Sequence, residues 1–231
     1  MEVTEHSPWR GQVRVVVYNE KTGEVRIDKV HNTLTNYWRS SVAQWVTGTP
    51  TTSVLLPNYI ALGNGTAPSN GPQATDVAGW AEIAGTRKSS SARSATLNYY
   101  AQYIAQYLST DPVGPYTECM LFDTPPSTTS LSAAVVAGAT SLPLSAGAPV
   151  VNSGQMQAYI DDSTNPEYVT LSSTYSAGAA SWTITNGLQY AHASGTPIIY
   201  FNGNLFAHAQ LSNVNKSDTE AMTIQWMILN S

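Results

Sequence analysis

The chain has 231 residues, a net charge of −5 and only 11% charged residues. That length can bury one large or two small cores. The thin, mildly acidic charge excludes the basic face that nucleic acid requires, and gives no pull toward anionic lipid.

No stretch approaches the ~20 apolar residues that cross a bilayer as a helix. Abundant Trp, Tyr, Ile and Val exclude a disordered acidic tail. The single cysteine, Cys119, sits in an apolar run. It reads as a small buried residue, with no partner for an intrachain disulfide. The start, Met1 to His6, lacks the basic and apolar parts of a signal peptide, so synthesis and folding in a cytoplasm are expected.

In chain order, Gly11 to Val17 alternates with Val13, Val15 and Val17 on one face, which is strand period. Asn19 to Gly23 is a turn, and Glu24 to Asp28 alternates again, so the two runs read as an opening hairpin. His31-Asn32 is expected to end that unit. Thr35 can cap a helix whose apolar side carries Leu34, Trp38, Val42 and Trp45, with Gly48 as its stop. Asn58 to Leu62 is a short strand, followed by a Gly/Pro/Asn-rich loop from Gly63 to Pro72. Thr75 or Asp76 is expected to cap a second short helix through Trp80 and Ile83. Leu97 to Leu108 reads as a long strand with Leu97, Tyr99, Tyr103 and Tyr107 on one face. Tyr116 to Phe122 is another strand, as is Leu205 to Leu211. The run Met222 to Leu229 places Met222, Ile224, Trp226 and Ile228 on one face, and must be paired inside the fold.

Composition breaks partway along. From Pro126 to Phe201 there is no Lys or Arg, and Asp161, Asp162 and Glu167 are the only acids. Without that stretch, Cys119–Thr124 would run into Asn202–Phe206 as two apolar strands joined by an Asp/Asn/Gly turn, which is hairpin chemistry. The expected organisation is a discontinuous host domain, 1–125 plus 202–231, with a second domain, 126–201, let into a hairpin tip. Five short strands are expected in the insert, near Ser141–Leu144, Gln155–Ile160, Glu167–Leu171, Ser181–Thr185 and Pro197–Phe201. The fold class is mainly β: a β-sandwich-like host with one or two short helices, interrupted by a small β-barrel or sandwich module.

The order of motifs carries a resemblance. A Trp9-Arg-Gly-Gln-Val-Arg-Val opening strand precedes Val30-His-Asn32 and a helix. Tyr59-Ile-Ala-Leu-Gly-Asn-Gly-Thr-Ala-Pro68 follows, then Tyr116-Thr-Glu-Cys-Met-Leu-Phe-Asp123, Asn204-Leu-Phe-Ala-His-Ala209 and a Lys216…Thr223-Ile-Gln-Trp-Met-Ile closing strand. This resembles a widespread group of tailed-bacteriophage virion proteins, variously tail-fibre, baseplate or other structural proteins. The insert, through Ala137-Gly-Ala-Thr-Ser-Leu142, Glu167-Tyr-Val-Thr170 and Gly187–Ala193, is similar to a small β-module of phage structural proteins. The resemblance is structural and implies no catalytic residues.

The residues point away from several chemistries. His6, His31, His192 and His208 lack metal-ligand spacing and read as satisfied polar or turn residues. Asp161 to Glu167 reads as a solvated turn rather than a calcium loop. The Gly63–Pro72 loop has no following Lys-Ser/Thr and is not a phosphate cradle. Glu82, Glu118 and Asp123 are the host acids, with nothing in their spacing to single out a hydrolytic pair; Glu118 is expected at the surface or in a salt bridge. Trp38, Trp45, Trp80 and Trp226 read as core. Tyr99, Tyr103, Tyr107, Tyr175, Trp182 and Tyr190 are the candidates for interface or glycan contact.

The expected function is therefore non-enzymatic, with no cofactor or metal: a virion component of the tail, baseplate or fibre, assembling as a trimer or ring with other virion proteins. The alternatives are a capsid-decoration or head-fibre protein, and a carbohydrate-binding module at a fibre tip that contacts host surface glycan. Neither nucleic acid nor membrane is an expected partner.

Overall fold

The computed structural model describes residues 9–47, 56–96 and 100–230. The chain divides into two compact units, Met1–Pro125 with Asn204–Ser231, and Pro126–Gly203. The fold is mainly β, with one helix among the described residues.

In the host unit, β1 (Trp9–Asn19) and β2 (Val25–Leu34) form the opening hairpin. β2 runs past His31-Asn32, where the sequence suggested a stop, because Asn32, Thr33 and Leu34 pair with a later strand. Helix α1 (Asn36–Thr47) follows directly. Thr35 caps it as expected: the Trp38 N–H donates to Thr35 Oγ1 at 3.4 Å. Trp38 is buried on the helix's inner side, while Trp45 remains 38% exposed. The Gly48 stop lies outside the described residues, as do Leu97 and Tyr99 of the tyrosine run.

Then come β3 (Tyr59–Gly63), β4 (Lys88–Ser89), β5 (Ala92–Thr96), β6 (Tyr100–Tyr107) and β7 (Tyr116–Phe122). The unit ends with β14 (Leu205–Val214) and β15 (Glu220–Asn230). These nine strands form one antiparallel sheet in the order β4-β3-β7-β14-β2-β1-β15-β6-β5. β4 pairs with β3 and β5 with β6, and only Ser90 and Ser91 separate β4 from β5. The sheet thus curls until its ends meet, a nearly closed barrel that leaves little bare edge.

The alternating residues read from the sequence fill its interior. Val13, Val15, Ile60, Leu62, Ala105, Tyr107, Ile224, Trp226 and Ile228 are each 1% exposed or less. β15, the apolar closing strand, lies between β1 and β6. Lys216, just before it, is buried and donates to the carbonyls of Ser109, Asp111 and Ser217, fastening the turn ahead of β7.

No second helix forms over Thr75–Ile83; that segment lies as irregular chain against the outer face of β7 and β14. The N–H groups of Trp80 and Ala81 go to the Glu118 carboxylate rather than to helical carbonyls. Asp76 accepts from the Gln73 N–H and contacts His208 instead of capping a helix.

The insert leaves the host where β7 ends and β14 begins, at the pair Phe122–Leu205. Asp123 holds this gate by accepting the Asn204 N–H at 2.9 Å and its side-chain amide at 2.6 Å. Its strands are β8 (Ser127–Ser130), β9 (Ser141–Pro143), β10 (Gln157–Ile160), β11 (Glu167–Thr170), β12 (Ser181–Thr183) and β13 (Pro197–Tyr200). Five match the expected positions; β8 is an addition. They form two sheets, β11-β10-β13-β8 and β12-β9, over a core of Leu142, Leu171, Trp182, Ile198 and Tyr200.

The module is an internal duplication with a spacing of forty residues. β8, β10 and β9 recur as β11, β13 and β12 at that offset. The central pairs put Tyr159 opposite Ile199 and Leu142 opposite Trp182, each residue facing its own counterpart. Loop hydrogen bonds repeat with the halves exchanged: Leu144 N to Ala180 O with Ile184 N to Thr140 O, and Leu131 N to Thr196 O with Leu171 N to Met156 O. Antiparallel pairing in that register relates the halves by a local twofold axis. The matching residues include Pro126 and Pro166, Leu131 and Leu171, and Ala137-Gly-Ala139 and Ala177-Gly-Ala179. Gly138 and Gly178 both have positive φ, 83° and 74°, which explains the glycine in each copy.

Candidate functional site

Each unit buries one histidine between two carboxylates. On the outer face of the host sheet, β14 carries His208 next to Glu118 of β7. His208 Nδ1 lies 2.9 Å from Asp76 and Nε2 lies 2.9 Å from Glu118. Glu118 also accepts from the backbone N–H groups of Trp80 and Ala81, at 2.7 and 2.6 Å. The Trp80 ring packs on His208 at 4.5 Å. Nearby, Glu82 is buried against Arg87 at 2.5 Å, and the Arg87 guanidinium lies 3.7 Å from the Phe122 ring centre.

The insert repeats the arrangement on unrelated chain. His192 Nδ1 lies 3.0 Å from Asp162 and Nε2 lies 2.7 Å from Glu167. Glu167 accepts from the N–H groups of Gln189 and Tyr190 at 2.9 and 3.2 Å.

Burial alone would lower both histidine pKa values. Hydrogen bonds and charge from the flanking carboxylates outweigh it, and both are raised. For Asp76, burial pushes up, but the His208 and Gln73 hydrogen bonds prevail and its pKa falls. For Asp162 the His192 hydrogen bond leads and lowers it. A raised histidine value stabilises the fold fully below the ordinary histidine pKa of about 6.5, and that contribution is lost as pH rises through the folded value. A lowered aspartate value stabilises above about 3.9, and is lost as pH falls through its folded value. Stability should therefore peak on the acid side of neutrality. Melting temperatures taken between pH 5 and 8 should fall with rising pH, and His208→Gln should flatten that slope; a flat wild-type profile would contradict the assignment.

Chemically, both nitrogens of each ring are engaged, and each glutamate is also bonded to two consecutive backbone amides. An imidazolium can donate to both acids at once, so the clusters act as rivets that hold loops onto strands. Sequence spacing missed them, because each histidine is 25 to 132 residues from its acids. The available signal was an ionisable residue in an apolar strand: Glu118 between Tyr116 and Phe122, and His208 between Phe206 and Leu211. Glu118 is not a surface residue; its side chain is fully buried and ion-paired.

The duplication supplies an internal comparison. The counterparts of Asp162 and Glu167 are Asn202 and Ser127, and that of His192 is Val151, since the bridge Val135–His192 recurs as Tyr175–Val151, one residue off the forty-residue spacing. There Asn202 and Ser127 bond each other and Val151 is buried in the core. The same backbone is thus satisfied by an ionic set in one half and a neutral set in the other.

The aromatic candidates separate. Tyr103 and Tyr107 face the interior of their own barrel, and Tyr107 donates to Ile60 O at 3.0 Å. Trp182 is 0% exposed in the module core. These three are therefore core side chains and not contact residues: each lies on the inward face of its strand. Tyr175 is half-buried and takes the Thr183 N–H at 2.6 Å. Burial would raise its pKa, but hydrogen bonds from Ser173 and Thr183 bring it down to about 8. Absorbance at 295 nm should show one tyrosine ionising near pH 8, absent in Tyr175→Phe; no early titration would contradict this. Tyr190 remains exposed, and Tyr99 lies outside the described residues.

Two open features remain. β14 pairs with β2 only over Ala207–Ala209. Beyond that the seam opens into a groove of about 300 Å³ lined by Val15, Val17, Arg26, Asp28, Ser212 and Asn215. Arg26 bridges it to Asn215 O and Glu220, and Asp28 accepts from the Ser212 N–H. The outer face of β2 and β1 carries exposed Val25, Ile27 and Tyr18. Compared with protein-family models, curated proteins and solved structures, the chain matches none of them.

Proposed function

We propose that this chain is a non-enzymatic structural component of a tailed-phage virion, of the tail, baseplate or fibre kind, assembled through protein–protein contacts. The observation that carries the assembly part of the reading is the outer face of the β2–β1 hairpin. Val25, Ile27 and Tyr18 are 53%, 52% and 45% exposed there, and Val16 lies between them. A contiguous aliphatic and aromatic patch on an otherwise well-buried sheet suits an interface. The placement in a virion rests on the order of sequence motifs. Position at the head, as a decoration or head-fibre protein, fits the same observations.

Mass spectrometry and antibody labelling of purified phage particles test the proposal. The chain should be present at fixed stoichiometry and its antibody should mark one part of the particle. Its absence from particles that its genome encodes would overturn the reading. The carbohydrate alternative loses its main support, since Trp182 is buried.

A further inference from the structure

We infer that the inserted module of one copy docks, through its Tyr159–Tyr168–Asp161 face, onto the Arg14–Lys29 face of the host unit of a second copy. This rests on the assembly reading above and names its contact.

The module face comes first. On the outside of the four-stranded sheet, register aligns Tyr168, Tyr159, Ile199 and Thr128 in one row. Tyr159 and Tyr168 lie 4.8 Å apart, and Tyr168 is 46% exposed. Asp161 is exposed at the end of the Tyr159 strand; burial, with its charge added, raises the Tyr159 phenol. The duplication shows that the fold does not require this chemistry. The counterparts of Tyr159 and Tyr168 are Ile199 and Thr128, on equivalent strands with equivalent pairing. One half has an aromatic and acidic face where its twin is aliphatic and hydroxylic.

The host face is its complement. Arg14 and Lys29 are directly opposite on β1 and β2, with side chains on the outside of the barrel. Like charges facing across a strand pair are destabilising. Neither makes an ion pair among the described residues. Beside them lie Val16, Ile27, Val25 and Tyr18. An apolar patch with a basic edge thus stands on one unit, and an aromatic patch with an acidic edge on the other. Arg14 and Lys29 would sit over tyrosine faces with Asp161 as counter-charge.

Local charge complementarity selects a second copy as the occupant. The module has three acids and no Lys or Arg; the host unit carries all ten basic residues with twelve acids, and at its Arg14–Lys29 edge two cations stand side by side without an ion-pair partner among the described residues. The contact uses two different surfaces, so it is heterologous and generates a ring if the rotation closes. The named host patch spans the two strands β1 and β2 over five residues, on the order of 200 Å². That is below the ~800 Å² per partner of a standard interface. A single junction is therefore weak, and closure, in which each copy makes two, makes it last.

The test is a set of charge and shape swaps read by sedimentation velocity. Arg14→Glu with Lys29→Glu should weaken self-association by about 30-fold or more. Adding Asp161→Lys, and Thr164→Lys at the exposed position three residues on in the same turn, should restore it, leaving Asp162 and Glu167 to hold His192. Tyr159→Ile with Tyr168→Thr copies the twin half, so it should still fold, giving up the Tyr159–Tyr168 and Tyr168–Phe201 ring contacts, and also lose association. Association of unchanged strength in both loss variants would overturn this contact while leaving the assembly reading intact. No association by any form, wild type included, would overturn both. Binding to a glycan array that Tyr168→Thr abolishes, with association unaffected, would assign the face to sugar and overturn the proposal.

Discussion

Glu118→Ala is expected to cost the host unit about 4 kcal/mol or more, and to lower its melting temperature by at least about 10 °C. Three losses combine. His208 keeps a buried positive charge with only Asp76 beside it. The Trp80 and Ala81 N–H groups lose their acceptor in a dry site, at about 1–3 kcal/mol each. A cavity opens beneath the Trp80 loop. Total stability of a domain is only about 5–15 kcal/mol, so the host should sit near the edge of unfolding. Glu118→Gln keeps the volume and one acceptor and should lose less, about 2–3 kcal/mol. Combined with His208→Gln, it should lose less than the two single changes added together, because the partners share one network. Denaturant and thermal melts of the wild type and these four variants check this. Additive losses, or a Glu118→Ala chain within 1 °C of wild type, would contradict the cluster's role as a rivet.

Trp182→Ala should have an effect of similar size, about 3–5 kcal/mol, confined to the insert. Trp182 is wholly buried, packs on Tyr200 at 5.7 Å and stands on the local twofold axis opposite Leu142. The module has its own core and joins the host only where β7 ends and β14 begins, so it should melt by itself. Calorimetry should show a low-temperature transition for the insert and a host transition at its wild-type position. The host transition moving by the same amount would show that the two units fold as one.

Much of the architecture was legible because period-2 patterning survives wherever one strand face is buried. Val13, Val15 and Val17, and Met222, Ile224, Trp226 and Ile228, point inward as their alternation requires. The ends of the insert were legible from the Asp/Asn/Gly join between Thr124 and Asn202, and not from charge, because the stretch without Lys or Arg runs on into the host, from Ser94 to Asn215. The second helix was misread because Thr75 and Asp76 look like caps. Only the tertiary fold reveals that Glu118, about forty residues on, takes the amides such a helix would use. Of the tyrosine stripe, Tyr103 and Tyr107 share a face as read, but their partner is the barrel's own interior; Leu97 and Tyr99 lie outside the described residues. Trp182 was misjudged because a three-residue strand is too short for alternation to assign its side. The duplication was present in the letters, as Leu-Ser with Ala-Gly-Ala six residues after the Leu, at forty-residue spacing. Its divergence hides it: only small and turn residues persist, while core and face positions differ in size and charge. The histidine clusters could not be read from spacing, because their members meet only through sheet register and loop return.

The central claim is that this chain is a building element whose outer faces bind further copies. Sedimentation velocity of the purified wild-type chain over a concentration series tests it most directly. The account predicts a shift from monomer to one closed species of fixed size, retained at high salt because apolar burial supplies part of the contact. A chain that stays monomeric up to about 1 mM, where even ~4 kcal/mol of association would show, would contradict it.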